Sequence, residues 1–443
     1  MNHYPVRLLA ARKAPAPLVC CVMGWFAILI CCATPLEASD GLDGKLVVGY
    51  QGWFGCPNDF EANKAWQHWF LRGVRSEFMT VDLLPSVGQI DSKDLCETGI
   101  PRADGQGTIK LFSSQNPKIV FAHFRWMRDA EIDGAATQRF VSEIGDPVKR
   151  RRSDHVLTNV RAAAEGNNRV FFVVFDVSGE KAESVVSDVR QDWRHLVNDL
   201  KLTDSPAYMR DHGKPVLELW GFGFRTRVGA PEEVGALIRD LKTGQDGLAA
   251  VTLIGGVPAR WRTLEVDAKP EAGWAKVYRS YDVISPWWVG RFNDEVSATA
   301  FTRDVVVPDL AEARRAGVRY MPVIFPGFSA YNQQLNHGNL HDAVLDRIPR
   351  RCGKFLWWQV SSLLSQHVDM LYAAMFDEAD EGTALFPMET QPDKLPAGSH
   401  MVYLNQDGCS LPEDWYLRVV GRAAQYIHRG ETPPVKLSDV VSP

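Results

Sequence analysis

The chain has 443 residues of ordinary globular composition, 45% hydrophobic and 23% charged, which supports a large buried core and argues against a disordered chain. A formal net charge of -5 gives no electrostatic ground for a nucleic-acid partner, and the basic run Lys149 to Arg152 is expected to be a solvated face.

The first element in chain order is an export signal. Arg7, Arg12 and Lys13 precede an apolar stretch from Leu18 to Ala33, and Ala38 offers a small residue for cleavage. Residues 1–38 are expected to be a signal peptide and 39–443 a single domain, secreted or periplasmic, with no stable membrane partner once the signal is removed. An uncleaved anchor is the alternative, since Leu36 suits the cleavage rule poorly and the apolar run is near the minimum for a span. A lipoprotein using Cys31 or Cys32 fits less well. Cys20, Cys21, Cys31 and Cys32 fall in this segment, which leaves Cys56, Cys96, Cys352 and Cys409. An oxidising compartment permits one or two disulfides among those four, in a pairing the sequence does not supply. None forms a Cys-x-x-Cys pair, so neither a zinc knuckle nor a thioredoxin-like site is indicated.

Beyond residue 40, short apolar runs alternate with segments of helical period, the pattern of parallel strands joined by helices. Eight strands are predicted: Leu46 to Tyr50, Asp133 to Gln138, Val170 to Asp176, Pro215 to Trp220, Ala250 to Gly255, Asp282 to Pro286, Tyr320 to Phe325 and Leu371 to Asp377. Helical segments include Ile119 to Ala130, Asp154 to Glu165, Asp192 to Leu200, Pro231 to Leu241, Val305 to Ala316 and Glu413 to Ile427. The expected fold is a single (β/α)8 TIM barrel with long loops.

Chemistry-capable residues gather after the predicted strand ends, where such a barrel builds its active site. Tyr50, Gln51 and Trp53 follow the first strand, Gln138 and Arg139 the second, and Asp176 the third. Trp220 ends the fourth strand, Trp287 and Arg291 follow the sixth, and Phe328 the seventh. Aromatic faces with a few polar groups suit sugar rings, which present apolar C–H faces beside hydroxyls, so these residues are candidates for substrate binding. The bland reading makes tryptophans core. It is the expectation for Trp66, Trp69, Trp126, Trp193 and Trp415, whereas Trp53, Trp220, Trp287 and Trp288 beside glycine or proline at strand ends stay open between the two.

The last strand runs into Asp377-Glu378-Ala379-Asp380-Glu381-Gly382-Thr383. Cleaving a glycosidic bond needs one group to protonate the leaving oxygen and another to supply or activate the nucleophile, and two carboxyls with divergent pKa values do both. Glu378 and Glu381, on a turn after a strand, can share one cleft. Alone, Glu-x-x-Glu is weak, and an acidic stretch of this density could equally be a solvated loop or a calcium site.

Several segments together resemble one family: Val48-Gly49-Tyr50-Gln51-Gly52-Trp53-Phe54, Ala130-Glu131-Ile132-Asp133-Gly134, Ile284-Ser285-Pro286-Trp287, Pro322 to Phe328, Phe376 to Thr383 and Leu411 to Arg418. The sequence is similar to the glycoside hydrolase family 71/99-like proteins, allied to the endo-α-mannosidases of family 99, over almost the entire mature chain. The family 99 pattern Asn-Glu-Trp-His-Glu-Gly-Thr falls on Asp377 to Thr383. The resemblance implies that Glu378 and Glu381 are the catalytic pair, acting with retention through a 1,2-anhydro sugar: Glu378 as base on the 2-hydroxyl, Glu381 as acid and then base toward water. Asp377, Ala379 and Asp380 stand where that pattern has Asn, Trp and His, which bears on mannose specificity and adds like charge. Family 71 α-1,3-glucanases have Asp-x-x-Glu at the corresponding place and invert.

His337 and His341 lie four apart, but Gly338 follows the first, so the zinc-protease Glu is missing and a substrate loop is the better expectation. Gly221-Phe222-Gly223-Phe224 lacks the third glycine of a nucleotide loop, and there is no Gly-x-Ser-x-Gly elbow. The expected function is an exported glycosidase without metal or cofactor, acting on an oligo- or polysaccharide with α linkages. A barrel that binds carbohydrate without turnover is the alternative, and a calcium-stabilised structural barrel a third.

Overall fold

A computed structural model describes residues 41–61 and 63–443. The expected signal segment lies outside the described residues.

Among the described residues, eight parallel strands alternate with helices. The strands are β1 (Leu46–Tyr50), β2 (Gly134–Phe140), β3 (Val170–Asp176), β4 (Lys214–Trp220), β5 (Thr252–Pro258), β6 (Val283–Trp287), β7 in two pieces (Arg319–Tyr320 and Val323–Ile324) and β8 (Leu371–Ala373). Each pairs with the next, and β8 pairs with β1. The ring closes through β7, whose first piece pairs with β6 and second with β8. Pro322 causes the split: it has no N–H to give the ladder, while Met321 N still donates to Ile284 O at 2.9 Å and Pro322 O accepts from Tyr372 N at 3.0 Å. The predicted strand Tyr320 to Phe325 is thus correct in place and broken at its middle.

The helices are α1 (Pro117–Asp129), α2 (Pro147–Asn167), α3 (Val185–Asn198), α4 (Pro231–Thr243), α5 (Gly273–Tyr278), α6 (Glu295–Phe301 and Val307–Ala316, joined by a π-helical turn at Thr302–Val306), α7 (Lys354–Leu364) and α8 (Trp415–Arg429). Starts follow local chemistry. Asp146 accepts from Val148 N at 2.8 Å and Lys149 N at 3.2 Å, and Pro147 opens α2, so this helix begins seven residues before the predicted Asp154. An Asp294–Ser297 capping box likewise starts α6 well before the predicted Val305. Helix α7 was not among the predicted segments. Its sequence KFLWWQVSSLL is apolar nearly all round, so it carries no clear period and is buried on most sides.

The long excursion between β1 and α1 contains an antiparallel hairpin, Cys96–Pro101 with Thr108–Leu111, also absent from the prediction. Disulfides Cys56–Cys96 and Cys352–Cys409 staple this excursion and the β7 and α8 loops. No helix among the described residues is long and apolar enough to cross a membrane.

The basic run is only partly solvated. Lys149 and Arg151 face water, but Arg152 turns to Asp59 and Arg150 approaches Asp192, which corrects the expectation of an exposed face.

Candidate active site

Alternation along the strands sorts the candidates by face. On β1, Tyr50 points outward to α1, where its hydroxyl meets His123 Nδ1 at 3.0 Å, and it is wholly buried. On β2, Arg139 also points outward. It is 1% exposed, donates to Asp192 at 2.5 and 2.9 Å and to Ser153 at 3.0 Å, and pairs with Asp154 at 2.8 Å. Both residues anchor the helix layer, so the expectation that they touch substrate is corrected: their neighbours one residue away hold the inward face. Arg291 pairs with Asp267 at 2.8 Å, whose carboxylate also accepts from Ala259 N and Arg260 N, and thereby ties the β5 and β6 loops. Phe328 is half-buried, with its backbone bridged to Ile348. Trp288 is core, its indole N–H donating to Val323 O. Trp69, Trp126, Trp193 and Trp415 are buried as expected, and Trp66 packs against the core.

The remaining candidates converge. Gln51, Gln138, Asp176, Trp220 and Trp287 come from five strand ends and line one cleft with the β8 turn. Trp220 and Trp287 meet edge to face at 5.5 Å, and Trp287 approaches Tyr372 at 6.3 Å. Gly256 makes room for this wall, because a Cβ there would stand 2.3 Å from Trp220. Across the cleft Trp53 stacks on His68 at 4.1 Å and on Phe140 at 5.6 Å. A hollow of about 230 Å³ beside the β1 loop is lined by Gln51, Trp53, His68, Gln138 and Phe140 together with Arg152, Ser153 and Val156 of α2, next to the β8 turn but without its carboxyls. A larger one, about 800 Å³, lies between α1 and α8.

The β8 turn is held from several sides. Asp377, wholly buried, accepts from Gln51 N at 2.7 Å and Gly52 N at 2.9 Å, which fixes the β1 loop. Gln51 Nε2 then donates to Glu378 Oε1 at 2.7 Å, and Thr383 Oγ1 donates to Glu378 Oε2 at 2.8 Å. Arg350 donates to Gly382 O and Ala384 O at 2.9 and 2.7 Å, and Ser329 N to Glu381 O at 2.9 Å. Gly382 is required here: its φ is +64°, and a Cβ would stand 2.7 Å from Ser329 N.

Electrostatics are strained in one sense. Burial first, then repulsion from Glu381 and Asp380, pushes Glu378 well above the usual carboxylate range. Burial and Asp380 push Glu381 up to about 7, with Arg227 opposing, and Glu381 keeps some exposure. Asp377 is raised to about 7, chiefly by burial. Burial and mutual repulsion thus favour the protonated forms of both carboxyls, Glu378 most of all.

Glu218, His68, Phe140, Tyr372 and Arg227 also belong to the cleft and were not predicted. Glu218 was legible: it is the one charge in Pro-Val-Leu-Glu-Leu-Trp, at the same parity as Trp220. His68 and Arg227 sit in loops whose paths no local pattern indicates. His337 and His341 lie in the exposed part of the β7 loop.

Solved structures share this architecture. Two structures of the GH99 endo-alpha-mannosidase from Bacteroides thetaiotaomicron, one with bis-tris-propane, superpose with TM-scores of 0.60 and 0.61 at 15% and 14% identity, over 88% of this chain and 99% and 100% of theirs. At that identity the likeness establishes the (β/α)8 fold. No family model and no curated protein matches the sequence.

Proposed function

We propose that the protein is an exported glycoside hydrolase acting on an α-linked, mannoside-like or glucan-like glycan. The observation that carries this reading is the delivery of Glu378 and Glu381 by the last strand turn into an aromatic-walled cleft, on a fold shared with an endo-alpha-mannosidase. The two disulfides fit an oxidising compartment, in keeping with export.

In the retaining route implied by the family 99 resemblance, Glu378 removes the proton of the sugar 2-hydroxyl, O2 bonds to C1, and the glycosidic C1–O bond breaks as Glu381 gives its proton to the leaving oxygen. Glu381 then takes a proton from water, whose oxygen bonds to C1 as the C1–O2 bond breaks, and O2 recovers its proton from Glu378. The donors from Gln51 and Thr383 orient Glu378 and oppose the burial and like charge that raise its proton affinity above that of Glu381, so the base role of Glu378 and the acid role of Glu381 rest on the family resemblance.

Digestion of a glycan library by the purified protein, with products followed by mass, tests the reading. Glu378→Gln and Glu381→Gln should each lower turnover by a factor of about a hundred or more with the fold retained. Wild-type activity in both variants would move the chemistry elsewhere. A barrel that binds carbohydrate without turnover is the second reading, favoured by Ala379 and Asp380 in place of the family's Trp and His. Glycan binding with no product from any substrate would select it.

A further inference from the structure

The floor of the cleft carries acidic groups that hydrolysis by Glu378 and Glu381 leaves unused. Asp176 ends β3, and Glu218 lies on the adjacent β4 two residues before Trp220; the register puts Asp176 beside Trp220, and all three share the inward face. Glu218 is 2% exposed, and its Oε2 has no hydrogen-bond partner. A buried carboxyl without a donor is costly, so an unmet acceptor here marks a place where a ligand supplies one.

Three further observations define that ligand. Gln138 commits its amide N–H to the Tyr372 hydroxyl at 3.3 Å, leaving its Oε1 buried and unpaired. Tyr372, on the neighbouring β8, lies within electrostatic reach of Glu218, Glu378 and Asp176. Arg227 stacks 5.8 Å from the Trp220 ring and acts on Asp176 and Glu381, whereas the neighbouring charge felt by Glu218 is that of Asp176. The unsatisfied atoms beside Tyr372 lie among carboxyls whose ionisation is opposed by burial and mutual repulsion, Glu218 being raised to about 8. A sugar hydroxyl donates one hydrogen and brings no charge; an ammonium donates three and offsets the charge of an ionised Glu218.

We propose that the subsite over Glu218 takes a protonated amine carried by an amino sugar, the ammonium donating to Glu218 and Gln138 while Trp220 and Trp287 flank the ring. This deepens the glycan reading above and rests on it for taking the ligand to be a sugar. Because the retaining route uses a free 2-hydroxyl on the ring that is cleaved, the amine belongs to a neighbouring ring or to another carbon.

The test is binding of three probes to the purified full protein by calorimetry: methyl α-D-glucosaminide, its N-acetyl derivative and methyl α-D-glucoside. The glucosaminide should bind at least about tenfold tighter than either neutral probe, and Glu218→Gln should erase that preference. Equal affinities in the wild-type protein, no binding of the glucosaminide at millimolar concentration, or a preference that survives Glu218→Gln would overturn the proposal. The wild-type comparison decides even if the variant fails to fold. Cleavage of a neutral glycan without any amine preference sinks the subsite and leaves the hydrolase standing; amine preference with no cleavage of any glycan does the reverse.

Discussion

Replacing Glu381 with Gln should make the protein more stable above neutral pH, and the size of the gain follows from the site. Burial and Asp380 raise this carboxyl from an ordinary 4.5 to about 7. Between those values the unfolded chain has released the proton and the native state still holds it. The native state therefore binds more protons, and stability falls as pH rises through the window. Each unit is worth about 1.36 kcal/mol, so the full shift corresponds to about 3 kcal/mol, and the partial exposure of Glu381 reduces this to about 2 kcal/mol. Glutamine keeps the shape and never ionises. Its advantage should be close to nil at pH 4, grow between pH 4.5 and 7, and level off above. Removing Glu381 also relieves Glu378, whose raised affinity owes part to that neighbour, so the gain is no smaller for the coupling. Urea unfolding of both proteins at pH 4, 6 and 8 reads this directly, without any substrate. An advantage that does not vary with pH, or a loss at pH 8, would refute the argument that Glu381 is held against its own ionisation. A gain in stability with a loss of turnover is what a working site predicts.

Arg139→Met should cost about 3–5 kcal/mol, because wholly buried Asp192 loses its main donors, and should leave sugar affinity unchanged; lost affinity in a stable variant would restore Arg139 to the cleft. On any cleaved glycan, Gln51→Leu should lower kcat by about tenfold or more with little change in KM, since Gln51 orients Glu378; equal losses in both would make it a binding group instead. Retention predicts that early NMR of the released anomer matches the substrate and that a 2-deoxy substrate resists cleavage, whereas an inverted product removes the anhydro route and keeps the glycosidase. The proposed export predicts a mature protein that begins near Ser39 by N-terminal sequencing, and an intact Met1 in the membrane fraction would support an anchor.

Much of the barrel was written into local pattern. The run Val170 to Asp176, apolar and β-branched, reads as a fully buried parallel strand wherever it occurs, and Asp146-Pro147 or Pro231 with Gly244 mark helix ends through their own backbone chemistry. The Asp377 to Thr383 turn was legible as the loop after an apolar strand, but not its chemistry, since acidic density alone also suits a solvated loop or a calcium site. Strand parity could in principle have moved Tyr50 and Arg139 out of the site, but only once the strand carrying each was known to have its inward face at Gly49 or Gln138. Which partners meet is a different matter. Gln51 and Glu378 are 327 residues apart, and the unpaired state of Glu218 depends on what β5, β6 and β8 bring past it. Local propensity acts over a few residues and decides where strands and turns fall; burial, repulsion and hydrogen bonding among side chains from five strands are set only when the ring closes, and closure is what turns ordinary carboxylates into groups that hold their protons near pH 7.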